Sequence, residues 1–201
     1  MWNEQIIMML LEGIKDTLYM TLTSTLIGYV IGLPMGILLT VTDKDGIHPN
    51  AAVYKVLDVI ANLIRSVPFL ILLIVLIPFT RFLIGRSYGP TATIVPLVIA
   101  AAPYIARMVE SSLKEVDAGV IEAARSMGAS NFTIVTKVML VEARTSLIVG
   151  ATISLGTILG YSAMAGTVGG GGLGDIAIRY GYTRWQTDIM IVTVILLVIL
   201  F

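Results

Sequence analysis

The sequence predicts an all-α polytopic membrane protein: five transmembrane helices, with a polar cytoplasmic helical segment between spans three and four. Three observations lead there. Of the 201 residues, 57% are hydrophobic and only 13% are charged, about half the roughly 25% charge of a soluble domain. Mean hydropathy is +0.93. The apolar residues also gather into runs long enough for helices that cross a hydrocarbon core, which takes about 20 residues each. Zero net charge leaves no electrostatic footprint for nucleic acid. The absence of cysteine excludes disulfides, thiolate metal sites and cysteine nucleophiles. The amino terminus, MWNEQIIMMLLEGIKD, lacks the basic start and small-residue cleavage site of a signal peptide, so it reads as mature sequence.

The first span covers Thr17 to Thr42 and carries no charge. After the turn-like DKDGIHPN, a second span covers about 56–83; its first half is amphipathic, with Asp58, Asn62 and Arg65 on one helical face. The third span is Thr91 to Met108 and the fourth Leu147 to Ala165. The last apolar run, 189–201, is only 13 residues long, so a longer carboxyl-terminal tail is expected. Two polar regions remain, a central loop at about 109–146 and a glycine-rich loop at about 166–188.

Lysine and arginine in the loops set orientation. One side holds Lys44, Lys55, Arg65, Arg107, Lys114, Arg125, Lys137 and Arg144, and the other holds Lys15, Arg81, Arg86, Arg179 and Arg184. Eight against five puts the central loop in the cytoplasm. The amino terminus and the glycine-rich loop then face outside.

Inside the spans, Gly28, Gly32 and Gly36 repeat every four residues and form a groove for a closely approaching helix. Packing within one chain is the simpler reading; a contact between subunits is the sharper one. Pro34, Pro68, Pro78, Pro96 and Pro103 interrupt or flank the apolar runs. Interior prolines remove a backbone hydrogen bond and favour kinks, as in a bundle that moves or surrounds a pathway. Span four carries Thr152, Ser154, Thr157, Tyr161 and Ser162, a polar lining better suited to helices or a pore than to lipid. Met164 near its outer end is a packing residue or a flexible closure.

Gly169, Gly171 and Gly174 match G-x-G-x-x-G. Dinucleotide binding requires that pattern between a strand and a helix, and here it follows a membrane span, so the nucleotide reading is rejected. No Walker lysine motif appears, and His48 is the single histidine. No H-E-x-x-H, G-x-S-x-G or intramembrane carboxylate pair is present, so no metal-binding or catalytic residues are assigned. Asp58, Asn62 and Arg65 form a local polar cluster at the interface or an ion site.

The run VDAGVIEAARSMGASNFTIVTKVML reads as two short helices around a break. Asp117 caps the first, Gly128 ends it in a left-handed conformation, and Ser130 or Asn131 caps the second, which continues through Phe132, Ile134, Val135 and Val138. Such a pair is a connector lying on the membrane or a docking element for another protein.

The spacing Glu122-Ala123-Ala124, Gly128, Val138, Leu140 resembles the EAA loop of ABC importer permeases. That resemblance implies a coupling helix seated in a cleft of a cytoplasmic ATPase, with Glu122, Ala123, Ala124, Arg125, Met127, Gly128 and Ala129 as the coupling positions. Val141 stands where the family usually has proline. Further along, LIRSVPFLILLIVLIPFTRFLIG, AAPYIARMVESSL and GYSAMAGTVGGGGLGDIAIRYGY are similar to the permease subunits of methionine-uptake ABC importers, over Trp2 to Phe201. This implies an inner-membrane assembly of two identical permease chains, two ATPase subunits and an extracytoplasmic methionine-binding lipoprotein. The implied substrates are L- or D-methionine and related compounds. No cofactor is expected in this chain, since ATP and Mg are used by the ATPase. Met164 in YSAMAG matches the family's closing methionine, with Tyr161 and Ser162 beside it in the pathway. Competing readings are a permease for another amino acid or small nutrient, a membrane scaffold, and a membrane hydrolase; the last lacks a nucleophile and base.

Overall fold

The computed structural model describes residues 4–201. Residues 1–3, with Trp2 at the start of the resemblance, lie outside the described residues. Among the described residues the structure is helical, with no strand. The helices are α1 (Glu4–Thr42), α2 (Ala51–Ser66), α3 (Phe69–Val75), α4 (Ile77–Ile84), α5 (Pro90–Lys114), α6 (Ala118–Ser126), α7 (Asn131–Thr133), α8 (Leu140–Glu142), α9 (Arg144–Ala165), α10 (Gly172–Ile176) and α11 (Thr187–Leu200). π-helical turns occupy Ile134–Met139 and Ala177–Tyr182.

Three helical stretches among the described residues are long and apolar enough to cross a membrane: Glu4–Thr42, Pro90–Lys114 and Arg144–Tyr182. The pair Ala51–Ser66 and Phe69–Val75 makes a fourth if read as one broken span. α11 has 14 residues, about 21 Å at 1.5 Å per residue against a hydrocarbon core of about 30 Å. Two boundaries differ from the sequence expectation. The first helix runs from Glu4, beyond the expected span of 17–42, and Leu10 in this extension lies in a buried cluster with Leu173, Ile176 and Ile189. The second apolar run is three helices, divided at Val67–Pro68 and at Leu76. Pro68 is the N-cap of α3, and a proline sits in the first turn of α4, where a missing N–H costs nothing. By contrast α1 and α5 continue through Pro34, Pro96 and Pro103.

The chain forms two compact units, and α1, α5 and α9 each contribute to both. Among the described residues the first comprises 4–26, 67–100 and 155–201. Its glycine-rich segment is laced to helices by hydrogen bonds. The Thr17 hydroxyl accepts from the Leu173 N–H (2.9 Å) and donates to the Gly13 carbonyl (2.8 Å). Thr93 donates to the Gly170 carbonyl (3.3 Å), and the Gly89 N–H to the Gly169 carbonyl (2.9 Å).

The second unit comprises residues 27–66 and 101–154. Its framework is the crossing of α1 on α5 along the glycine groove. A Cβ on Gly32 would lie 2.6 Å from the Ala102 carbonyl oxygen, and one on Gly36 would lie 2.5 Å from that of Ala106. The groove is therefore filled by this chain's own α5. Leu39, Ile105, Val109, Leu113 and Ile134 are buried here, and α6 packs on the π-helical turn Ile134–Met139.

Candidate functional site: the central segment and the end of α9

The central segment folds as its residue types dictate. Asp117 is the N-cap of α6, its carboxylate accepting from the Gly119 N–H at 2.7 Å. The helix closes at Met127, and Gly128 follows with φ +83°. No atom lies within 4 Å of a Cβ built on Gly128, so backbone conformation rather than space demands glycine there. Ser130 caps the next element, accepting from the Thr133 N–H at 3.3 Å. Of the two candidate caps it is Ser130 that serves, and Asn131 is the first helical residue.

This geometry sorts the EAA residues by face. Ala124 is buried, whereas Glu122, Ala123, Arg125, Met127 and Gly128 are exposed, and Ala129 is half-buried. Met127 is 82% exposed and Phe132 is 78% exposed, flanking the glycine break with apolar side chains that this chain leaves uncovered. Phe132 reads in the sequence as one more apolar position of the second helix. Its exposure follows from the Ser130 cap and the π-helical turn, which bury Ile134 and Met139 instead.

Arg125 turns toward its own chain. Its guanidinium donates to the Ile47 carbonyl at 2.6 Å, in the turn that joins α1 to α2. That turn, the end of α5 and α6 line a half-open cavity of about 610 Å³. On its wall Asp43 meets the Lys114 ammonium at 2.7 Å. Lys114 also meets Glu110 (2.8 Å), and Glu110 meets Arg107 (2.6 Å). Arg107 then pairs with Asp58 and donates to the Asn62 side-chain oxygen at 3.0 Å. The hydrogen bond from Lys114 holds the Asp43 carboxyl below its usual range. Two of the three residues singled out in α2, Asp58 and Asn62, are thus one end of an ion chain. Its other members lie far off in sequence, which is why a local reading misses it.

In the first unit, Met164 is 50% exposed near the end of α9. The Tyr161 ring stacks on Phe69, with centroids 4.4 Å apart and planes at 6°. Ser162 is buried; it donates to the Leu159 carbonyl (2.7 Å) and accepts from the Thr21 hydroxyl (3.4 Å). Tyr161 and Ser162 therefore fix α9 against its neighbours, and Met164 is the uncovered member of the trio.

A family model described as "Binding-protein-dependent transport system inner membrane component" matches residues 13–201. The chain is 47% identical over 192 residues to the "Probable D-methionine transport system permease protein MetI" of Vibrio cholerae serotype O1, covering 96% of this chain and 85% of that one. It is 51% identical over 164 residues to the D-methionine transport system permease protein MetI of Escherichia coli K12, covering 82% and 76%. Among solved structures it resembles a chain from inward facing conformations of the MetNI methionine ABC transporter, native CY5 crystal form. The TM-score is 0.97 at 50% identity, over 99% of this chain and 92% of that one.

Proposed function

The chain belongs to the binding-protein-dependent transport system inner membrane components, and we propose that it is the permease subunit of an ABC importer for methionine. It forms the translocation pathway and does not itself hydrolyse ATP; a partner ATPase, using ATP and Mg, supplies the work. The observation that carries this reading is the match of 99% of this chain to 92% of a MetNI chain, at 50% identity. The working assembly has two copies of this chain, two ATPase subunits and an extracytoplasmic methionine-binding lipoprotein, in the inner membrane. In that assembly the chain crosses the bilayer five times, with its amino terminus outside and residues 109–146 in the cytoplasm.

Coupling runs through α6. An ATPase cleft takes the exposed face of Glu122 and the small Ala123, with Met127, Gly128 and Ala129 at the break and Ala124 packing it from behind. Arg125 orients this face through its bond to the Ile47 carbonyl. Small residues let the partner's surface come close, and the left-handed glycine keeps α6 a separate lever from the segment that follows. ATP-driven closure of the partner then moves α6. At the other end of α9, Met164 closes the pathway with a flexible thioether, on a helix held by Tyr161 and Ser162.

Reconstitution in liposomes with the ATPase and the binding protein tests the reading. ATP-dependent accumulation of methionine is the expected result. Accumulation of a different amino acid would reassign the substrate, and no accumulation of any solute would leave only a scaffold. A photocrosslinking probe at Ala129 should capture the ATPase; capture of lipid alone would remove the coupling role of this segment.

A further inference from the structure

The turn between α1 and α2 is not a slack connector. At its start the Asp43 N–H donates to the Leu39 carbonyl (3.1 Å), and the Gly46 N–H donates to the Asp43 carbonyl (3.0 Å). At its end the His48 N–H donates to the Val41 carbonyl (3.0 Å), and the Asn50 N–H to the Thr42 carbonyl (2.9 Å). Asn50 then begins α2: its side-chain oxygen accepts from the Val53 N–H (3.2 Å) and its carbonyl from the Tyr54 N–H (3.0 Å). A turn laced in this way moves as one body with the last turn of α1 and the first turn of α2. Two charged groups reach it from outside. The Arg125 guanidinium of α6 holds the Ile47 carbonyl, and Lys114 at the end of α5 holds Asp43. Between them these bonds attach the turn to both helices that flank residues 115–117.

We propose that the turn Asp43–Ile47 is a second element of coupling, which passes displacement of α6 to α1 and α2, and that Arg125 and Asp43 are its positioning residues. The proposal rests on the reading of α6 as the coupling helix. The charge pattern favours a linkage over a passive clasp. Lys114 shares its ammonium between Asp43 and Glu110, and Glu110 shares its carboxylate with Arg107, which grips Asp58 and Asn62 on α2. Displacing the turn therefore disturbs a continuous chain of charge-assisted bonds, whose members re-pair together rather than one at a time. A coupling element needs discrete arrangements of this kind, because closely packed structure shifts between states and does not stretch.

The test uses the complete transporter with its ATPase and binding protein in liposomes, reading methionine taken up per ATP hydrolysed. Asp43→Asn removes the charge with little change in shape, and Asp43→Glu restores it. The Asn variant is expected to lower the ratio by roughly 2- to 30-fold, the range found for residues along coupled networks, and Glu should recover part of the loss. Arg125→Gln should lower the ratio as well. If both residues act through the turn, the double variant is no worse than the weaker single variant. The chain has no cysteine, so nitroxides on Asp45→Cys and Ser126→Cys report the distance between turn and helix. That distribution should broaden with Asn at position 43 and narrow again with Glu.

An unchanged ratio in Asp43→Asn overturns the proposal, as does an additive loss in the double variant. So does a lower ratio with an unchanged distance distribution. In each of those outcomes the probe at Ala129 still captures the ATPase from the unmodified chain. Failure of that capture overturns the coupling reading itself, and this proposal with it.

Discussion

The central segment and the glycine-rich segment are both irregular, and they are held by opposite means. Residues 109–146, in the second unit, are anchored by charge: Asp43, Lys114, Glu110, Arg107 and Asp58 form one chain, and Arg125 grips a carbonyl. Residues 166–188, in the first unit, are anchored by contact between backbones and by threonine hydroxyls. A Cβ on Gly166 would strike the backbone of Gly174, and one on Gly174 would strike the Ala163 carbonyl. A charge-tied segment keeps its outer face free of packing duties and can change partners. A segment held by touching backbones has one arrangement. That difference is what the coupling role proposed for the central segment requires.

Substitutions can break that contrast, and the largest effect is expected in the glycine-rich segment. Gly174→Ala puts a methyl group on the Ala163 carbonyl, where neither backbone can yield. A loss of about 3 kcal/mol follows, at the upper end for overpacking, and a fall in the melting temperature of the detergent-purified protein would register it. Next comes Glu110→Ala, which leaves Arg107 and Lys114 facing each other without the carboxylate between them. Glu110 is 7% exposed but Lys114 is 43% exposed, so the expected loss is about 2 kcal/mol, below that of breaking a fully buried pair. Denaturant or thermal midpoints would show whether it falls short of the Gly174 variant; equal losses would erase the contrast.

Gly128→Val should spare folding more than either and still abolish most transport. Its φ of +83° costs a branched residue about 1–2 kcal/mol, yet space around it is open. Inserted protein with normal methionine uptake would count against a lever at that break. Met164→Ala is expected to leave stability nearly unchanged and to raise methionine leak in the absence of ATP, measured by efflux from loaded liposomes. Unaltered leak would return Met164 to a packing role.

The smallest effect is the pH dependence of the Asp43 tie. Its carboxyl titrates below the ordinary value because Lys114 hydrogen-bonds to it. The tie therefore adds stability above the unfolded value of about 3.9 and loses it as pH falls through the lower, folded value. The contribution is under about 1 kcal/mol for a partly exposed pair. Melting curves of the native protein and Asp43→Asn should differ at pH 7 and converge well below pH 4. A difference that persists in acid would mean that shape, not charge, holds the turn.

Much of the central segment was legible in the sequence because its signals are local. Asp117 and Ser130 cap helices that begin at the next residue, and Gly128 stops one; no distant partner is needed for either. The glycine groove of α1 was also legible as a groove, though not as one filled by α5. Less legible was the second apolar run. Pro68 and Pro78 announce a disturbance, but α1 and α5 absorb their own prolines without a break, so proline alone does not separate a kinked helix from a divided one.

What the sequence by itself determined is therefore the class of protein, its apolar helices and its caps, since these depend on composition and on neighbours within four or five residues. Only the tertiary structure decided which charges belong together. Arg107 finds Asp58 and Asn62 at 49 and 45 residues' distance, and Arg125 finds the Ile47 carbonyl at 78. A charge withdrawn from water, as those of Arg107 and Glu110 are here, must have a partner. The sequence states that requirement; the packing of α1, α2, α5 and α6 selects which partner meets it.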